Sequence, residues 1–585
     1  MEYPILNVKQ NSRQMIDTFL GYNHNLRINE NEFYDMKNMS SDYYPVLAPR
    51  KKRGFNDVSV NGIIDKNGLC YVEGSSFCIG VRKIDMGLSD GEKNLISMGA
   101  YVIIMPDRKY INTVLKDGEY EWGDIDAVFE TADEVKFTLC TLTGEDYDEA
   151  EPNDVAPTSP EDGQLWIDTS STPNTLKKYY KANGMWVSIA TTYIKIQAKN
   201  IGKDFNQYDG VKISGITADG VTSLNGYHVL QGCKPNEIIV IGMLDKVTTQ
   251  PAGGKLEITR KMPIMDFIVE SNNRLWGCKY GLNEDSVIVN EIYASKLGDF
   301  KNWNCSMGIA TDSWYCPVGT DGPFTGAISY LGYPLFFKED CIHKVYGDYP
   351  ANYQTQDVTC RGVQALCEKT LAIVNGTLFY KSFSGVCAYD GSMPVEISSA
   401  FGDVRYGSPA AACAFENKYY INMKESGGPH RLFVYDTEKG LWHKEDNIRV
   451  DGFCSDGRCL YAIEHDTKRI ITLCGHVHGF EPKEDKFPWM VESGIIGMST
   501  PDMKYISKLV IRMSLELGAS VSISIQYDSM GDWEQVCSMT STSLRSFSIP
   551  IRPRRCDHFR IRIEGEGDGR IYSITKTIEQ GSDVS

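Results

Sequence analysis

The chain has 585 residues, 77 acidic against 60 basic side chains and a formal net charge of −17. A surface that negative repels phosphate, which excludes a general nucleic-acid binder but not a protein that DNA passes without sticking. The length exceeds one hydrophobic core, so several domains are expected; 33 Tyr and 53 Gly suit strands joined by tight turns.

The opening MEYPILNVKQNSRQ has no apolar signal core, and no run approaches membrane-spanning length. A soluble protein outside the general secretory route, with no membrane anchor, is expected. The seventeen cysteines are scattered singly, with Cys454 and Cys459 the closest pair and no CxxC. They read as buried small hydrophobes of a protein made in a reducing cytoplasm, not as a disulfide framework.

In chain order, a turn followed by an apolar or aromatic pair and a strand-like run first occurs at Leu69 (NGLCYVEG) and Val102 (MGAYVIIMPDRKY). The pattern returns at Leu275 (SNNRLWGCKYG), Leu335 (GYPLFFKED), Leu378 (NGTLFYKSF), Tyr419 (ENKYYINMK) and Leu460 (DGRCLYAIE). The last three steps are 43, 41 and 41 residues, a period made of strands and turns that fits a β-propeller blade. A blade is a small sheet that cannot bury both faces alone, so blades must stack. Seven units can be counted, and about six to eight blades are expected because a terminal strand often completes a blade from the far end of the chain.

The step from Val102 to Leu275 is 173 residues, about four repeats, which reads as an insertion over 131–255. Its acidic opening, GEDYDEAEPNDVAPTSPEDG, reads as an exposed linker. QLWID alternates, with Leu165 and Ile167 on one face and Trp166 on the other. LKKYYKANGMWVSI places Asn183-Gly184 between two runs, a primed-turn hairpin signal. KISGITADG, NGYHVLQG and NEIIVIG form a second small β unit. From about Ile495 the pattern becomes alternation: Leu509, Ile511, Met513 and Leu515; Val521, Ile523, Ile525 and Tyr527; Phe559, Ile561 and Ile563. Roughly six such strands predict a C-terminal β-sandwich, each buried side chain contributing about 1.5–3 kcal/mol before entropy. The expected division is 1–130 (N-terminal segment and first blades), 131–255 (inserted modules), 256–494 (remaining blades) and 495–585 (sandwich).

Several motifs carry candidate chemistry. Cys474, His476 and His478 in CGHVHGF have a spacing that could bind zinc, but no fourth ligand is evident and a strand end is the simpler reading. The acidic turns 145–154 and 528–534 match no loop that sets six or seven oxygens around calcium, and read as linker and hairpin. The basic sets are RKKR at 50–53 and Arg552, Arg554, Arg555, Arg560 and Arg562. They could meet DNA phosphate, but at this net charge they read as intersubunit ion pairs or a solvated face. Trp276, Phe336, Phe379, Tyr420 and Tyr461 at blade starts could stack sugars; at matching points of successive blades they read as core wedges. There is no Ser-x-Asp-x-Gly-x-x-Trp repeat, no Gly-x-Ser-x-Gly, no phosphate loop and no His-Glu-x-x-His. No catalytic, cofactor or metal site is therefore assigned.

Several segments together resemble the β-propeller tail proteins of bacteriophages, the tail nozzle, hub or stabilization proteins. GYNHNLRINENEFYDMKNMSSDYYPVLAPRKKRG at 21–54 is similar to that family's opening, which leads through an Asn-Met element and a Pro-Arg segment into the first blade. RLWGCKYG with NEIYASKLGDFKNWN resembles one family blade. LFFKEDCIHKVYGD with KTLAIVNGTLFYKSFSGVCAYDGSMPVEIS resembles two more. SPEDGQLWIDTSSTPNTLKKYY and GMWVSI resemble a small β module of phage tail and fibre proteins. The order and number of these segments, over most of 1–480, carry the resemblance; the inserted modules and the sandwich depart from the simplest members.

The resemblance implies a non-enzymatic virion protein of the tail, made in the bacterial host cytoplasm and assembled as a homo-oligomeric, hexameric ring. Implied partners are adjacent tail or adaptor rings, tail fibres or baseplate, and viral DNA in transit. A host-surface glycan-binding or polysaccharide-depolymerising tail protein is the alternative.

Overall fold

The computed structural model describes residues 11–148, 150–475, 477–481, 483–498, 503–540 and 542–580. Among them, no helix is long and apolar enough to cross a membrane, and helix is limited to four short 3-10 turns. The protein is all-β, of the propeller class, with inserted β modules and a β-sandwich. The described strands sort into thirteen sheets, seven of which are four-stranded blades, in chain order 62–85, 94–124, 267–317, 326–359, 372–396, 406–444 and 450–472, the last completed by 55–59.

The repeating motif is the hairpin between the first and second strand of a blade. In the third blade Ser271 pairs with Arg274, leaving a two-residue loop, Asn272-Asn273, with φ of 52° and 59°. In the fifth, Val374 pairs with Thr377 around Asn375-Gly376, with φ of 49° and 78°. Both loop positions are left-handed, the geometry that suits strand twist and that Asn and Gly tolerate best. The apolar pair that follows is the start of the second strand, buried on both faces: Leu275 and Trp276, Leu378 and Phe379.

The chain forms two compact units. The first takes residues up to 95, 337–342 and 358 onward. It contains the blades at 62–85, 372–396 and 406–444, and a blade whose strands are Val450–Ser455, Leu460–Glu464, Arg469–Thr472 and Phe55–Ser59. The outer strand of that last blade thus comes from the other end of the chain, with Ile470 paired to Asn56 and Ile471 to Phe55. Apolar wedges fill the gaps between neighbouring blades of the unit. Tyr420, Leu432 and Val434 pack with Leu460, Ala462 and Ile471, and Tyr461, Ile463 and Ile470 pack with Ile63, Leu69 and Tyr71.

This unit also contains the sandwich. One sheet joins Pro488–Ser493, Phe559–Glu566, Ser520–Tyr527 and Glu534–Met539 to the N-terminal strand Phe33–Lys37. The other joins Gly569–Gln580, Lys504–Leu515 and Arg545–Ile549 to Asn11–Ile16. The alternating apolar residues read from the sequence form its core: Leu509, Ile511, Met513, Val521, Ile523, Ile525 and Phe559 are fully buried. Two strands from the N-terminal segment and one preceding 495 belong to it as well.

The second unit takes residues 96–336 and 343–357. Ile96, Met98, Ile103 and Tyr110 of the second blade pack with Leu275, Phe300 and Trp303 of the third. Trp276, Cys278 and Ile292 pack with Phe324, Phe336 and Val345 of the fourth. Between the second and third blades, a four-stranded and a five-stranded sheet share one core built around Val135, Phe137, Ile196, Val211, Val240 and Ile258. Asp209 and Arg260 form a buried ion pair there, and Asn302 donates to Asp209 at 2.9 Å.

A separate four-stranded module, Glu151–Asn153, Leu165–Asp168, Thr175–Tyr180 and Met185–Ser188, is inserted in this core between strands Val135–Cys140 and Tyr193–Gln197. Two sequence expectations change here. The acidic segment read as linker contributes an exposed edge strand, paired in parallel with Leu165–Asp168. The Asn183-Gly184 hairpin is present, but its loop is four residues: Tyr180 pairs with Met185, and only Gly184 of the two has positive φ, 63°.

Candidate functional site

The sequence-derived candidates resolve mainly into structural roles. Trp276, Phe336, Phe379, Tyr420 and Tyr461 are all buried, at 7% exposure or less, so none offers a face to a sugar. Cys474 is disulfide-bonded to Cys459, with Cα atoms 5.5 Å apart. It is therefore no thiolate ligand, and His476 lies outside the described residues. One bond is no disulfide framework, but at Cys459 and Cys474 it corrects the reading of the cysteines as buried small hydrophobes. Leu473 donates to the Leu460 carbonyl, so the two cysteines are cross-strand neighbours despite 15 residues between them. No cluster of metal-ligating side chains occurs among the described residues.

RKKR is neither a solvated face nor an intersubunit contact at its two arginines. Arg53 donates to Glu445 at 2.7 Å and Asp446 at 2.6 Å. Arg50 forms a two-pronged pair with Glu484, at 2.7 and 2.9 Å. Burial and the Arg50 guanidinium act oppositely on Glu484, and the guanidinium wins, holding its carboxyl below the usual range. Nearby, Tyr22 bridges sandwich strand and blade, pairing with Phe33 on one side and Trp442 on the other. Asp35–Lys444 and Asp42–Lys418 add ion pairs across the same seam. The N-terminal segment is thus the fastening between a blade and the sandwich.

The C-terminal basic set is also largely engaged. Arg560 and Arg562 both pair with Glu492 of the adjacent strand, and Arg562 lies 4.1 Å from the Trp533 ring centre. Arg554 pairs with Glu534 at 2.9 Å. Asp528 accepts from the Asp557 backbone N–H at 2.7 Å, which makes the 528–534 turn a structural one.

What sequence reasoning missed is a cavity of about 620 Å³ between the fifth and sixth blades. Lys381, the last residue of strand Thr377–Lys381, lies in its wall and is only 1% exposed. Its Nζ donates to Gln364 Oε1 at 3.0 Å and to the Ser382 carbonyl. No carboxylate among the described residues forms an ion pair with it, and burial lowers its pKa from the ordinary value. An ammonium taken out of water with only neutral acceptors is an expensive arrangement.

The two carboxylates of the cavity are already matched. Glu396 pairs with Arg361 at 2.9 Å and Glu425 with Arg431 at 2.8 Å. Two further cations of the lining, Arg405 and Lys424, are exposed, and among the described residues their head groups have no hydrogen-bond or ion-pair partner. Phe383 stands at 82% exposure in the same wall. The cavity therefore combines unbalanced positive charge with one free aromatic face, an arrangement suited to binding. The motif NGTLFYKSF contains Lys381 and Phe383, but nothing in the string separates them from the blade pattern around them.

No protein-family model matches the chain, and no curated protein matches it. Among solved structures, an exo-beta-1,3-galactanase from Phanerochaete chrysosporium is 9% identical, with 53% of this chain and 94% of that one covered, at a TM-score of 0.21. Apo AztD from Citrobacter koseri is 11% identical, covering 69% of this chain and 96% of its own at a TM-score of 0.22. Trypanosoma rangeli sialidase with the inhibitor DANA is 8% identical, covering 89% and 96% at a TM-score of 0.21. At these scores the likenesses carry no argument about function. The fold class rests on the strands and their pairing.

Proposed function

We propose that this chain is a structural protein of a bacteriophage tail, a ring component that continues the DNA conduit and anchors neighbouring tail, fibre or baseplate proteins. The observation that carries the reading is how the residues of the family resemblance are used. Arg50 and Arg53 of the opening segment, Leu275 and Trp276 of RLWGCKYG, and Leu378 and Phe379 of NGTLFYKSF are all buried members of the framework. Their work is to fasten blades to one another and to the sandwich. The two carboxylates of the one cavity described above are each occupied by an arginine, so the reading assigns no catalysis. Ring assembly multiplies each modest interface by cyclic symmetry, which makes weak contacts collectively durable. The net charge of −17 suits a conduit that DNA passes without adhering.

The test is negative-stain imaging and sedimentation velocity of the purified full-length protein, with incubation on host envelope glycans. Holed rings, and their recovery with other tail components, support the proposal. A compact monomer that releases sugar from those glycans overturns it in favour of a depolymerase.

A further inference from the structure

We propose that the cavity between the fifth and sixth blades binds an anionic saccharide, with Lys381, Arg405 and Lys424 holding its acidic group and Phe383 stacking against a sugar ring. The inference does not depend on ring assembly.

The charge argument comes first. Lys381 is a buried cation that spends two of its three N–H donors on neutral oxygens and, among the described residues, leaves the third without an acceptor. Arg405 and Lys424 bring two more positive charges to the same wall, while Glu396 and Glu425 are each consumed by their own arginine. An anion entering the cavity would supply the missing counter-charge in a partly desolvated place, where charge-assisted hydrogen bonds are strongest.

The remaining lining selects the rest of the ligand. Five serines lie in the wall; Ser398 is already taken up by Glu396 and the Val386 N–H, and Ser384, Ser399, Ser408 and Ser426 bring hydroxyls that can both donate and accept. That matches a ligand whose edge is itself made of hydroxyls. Phe383 is exposed to a degree that costs hydrophobic free energy unless something covers it. The C–H face of a pyranose is a suitable cover, with its hydroxyl edge turned toward the serines. The volume of about 620 Å³ lies inside the range of roughly 300–1,000 Å³ typical of small-molecule sites.

The experiment is calorimetric titration of the full-length protein, in whatever oligomeric state it adopts, with a glucuronate-containing tetrasaccharide. Its counterpart with the carboxyl groups reduced to alcohols, and inorganic phosphate, serve as the comparison arms. The acidic tetrasaccharide is expected to bind saturably and at least about tenfold more tightly than the reduced one. The double substitution Arg405→Ala with Lys424→Ala is expected to weaken it by about tenfold, and Phe383→Ala by several-fold. All three side chains are exposed, so circular dichroism should show the fold unchanged. Absence of saturable binding at millimolar concentration, equal affinity for the reduced sugar, or indifference to the double substitution would each overturn the proposal. Displacement by phosphate at the same concentration as the sugar would also overturn it, by showing a general anion site. These outcomes are read per protomer and leave the ring experiment independent.

Discussion

Arg53 donates to Glu445 at 2.7 Å, and both side chains are only 3% exposed. The two residues are far apart in the chain, one entering the strand Phe55–Ser59 and the other just past the strand Leu441–Lys444. Burial alone would disfavour both charges; Asp446 and Glu445 together keep Arg53 protonated more firmly than an ordinary guanidinium. Removing one member strands the other. Arg53→Met is expected to lower stability by about 3–5 kcal/mol in urea unfolding. Lys52→Met, which removes an exposed pair with Glu516, should cost no more than about 1 kcal/mol. Equal effects would show that the cluster is not a fastening.

His443 lies buried in the same seam, its Nδ1 without a hydrogen-bond partner among the described residues. Burial, with a contribution from Lys418, pushes its pKa from 6.5 down to about 3. The unfolded chain therefore binds a proton that the folded one refuses as pH falls from 6.5 toward 3. Stability from this site is full above that window and declines within it. His443→Leu should flatten the decline of melting temperature on acidification relative to wild type. Parallel curves would refute the assignment.

The inserted small module is expected to be dispensable for the fold. Cys140 pairs directly with Tyr193, so the strands flanking the module are already antiparallel neighbours. Replacing residues 141–192 by Asn-Gly closes them with a two-residue turn. The shortened protein should melt within a few degrees of the parent. A collapse in expression or melting temperature would mean that the module supports the core beneath it.

Gly21 has φ of 82°, and a Cβ there would sit 2.3 Å from the Trp442 carbonyl oxygen. That oxygen accepts from the Tyr22 N–H at 2.6 Å. Gly21→Ala should therefore cost more than the strain of about 1–2 kcal/mol that a left-handed alanine carries alone. Gly74→Ala provides the comparison, with φ of 57° and open space around it. Equal losses of unfolding free energy would show that the close approach at Gly21 yields without cost.

The blades were legible because their hairpins are local. Asn272-Asn273 and Asn375-Gly376 announce the turn, and the buried second strand follows within a few residues. The sandwich core was legible for a similar reason, since alternation along Leu509–Leu515 or Val521–Tyr527 needs no partner to be seen. The recruitment of Asn11–Ile16 and Phe33–Lys37 into the sandwich was not, because each pairs across more than four hundred residues and carries no local signal of its destination. The pairing of Cys459 with Cys474 was missed because the two are distant by spacing and adjacent only across strands. The cavity was invisible because its cations come from separate elements: Lys381 ends the strand Thr377–Lys381, Lys424 lies in Lys418–Glu425, and Arg405 just precedes Tyr406–Phe415. Lys381, Arg405 and Lys424 look like ordinary surface residues until the blades bring them together.

The strand Phe55–Ser59 closes a blade whose other three strands begin at Val450, and Asn11–Ile16 pairs with Gly569–Gln580. During translation these strands leave the ribosome long before their partners do. For most of synthesis they are open edges, and the finished core must wait for the far end of the chain. Closure of both the blade and the sandwich is thereby postponed until their C-terminal partner strands have been made.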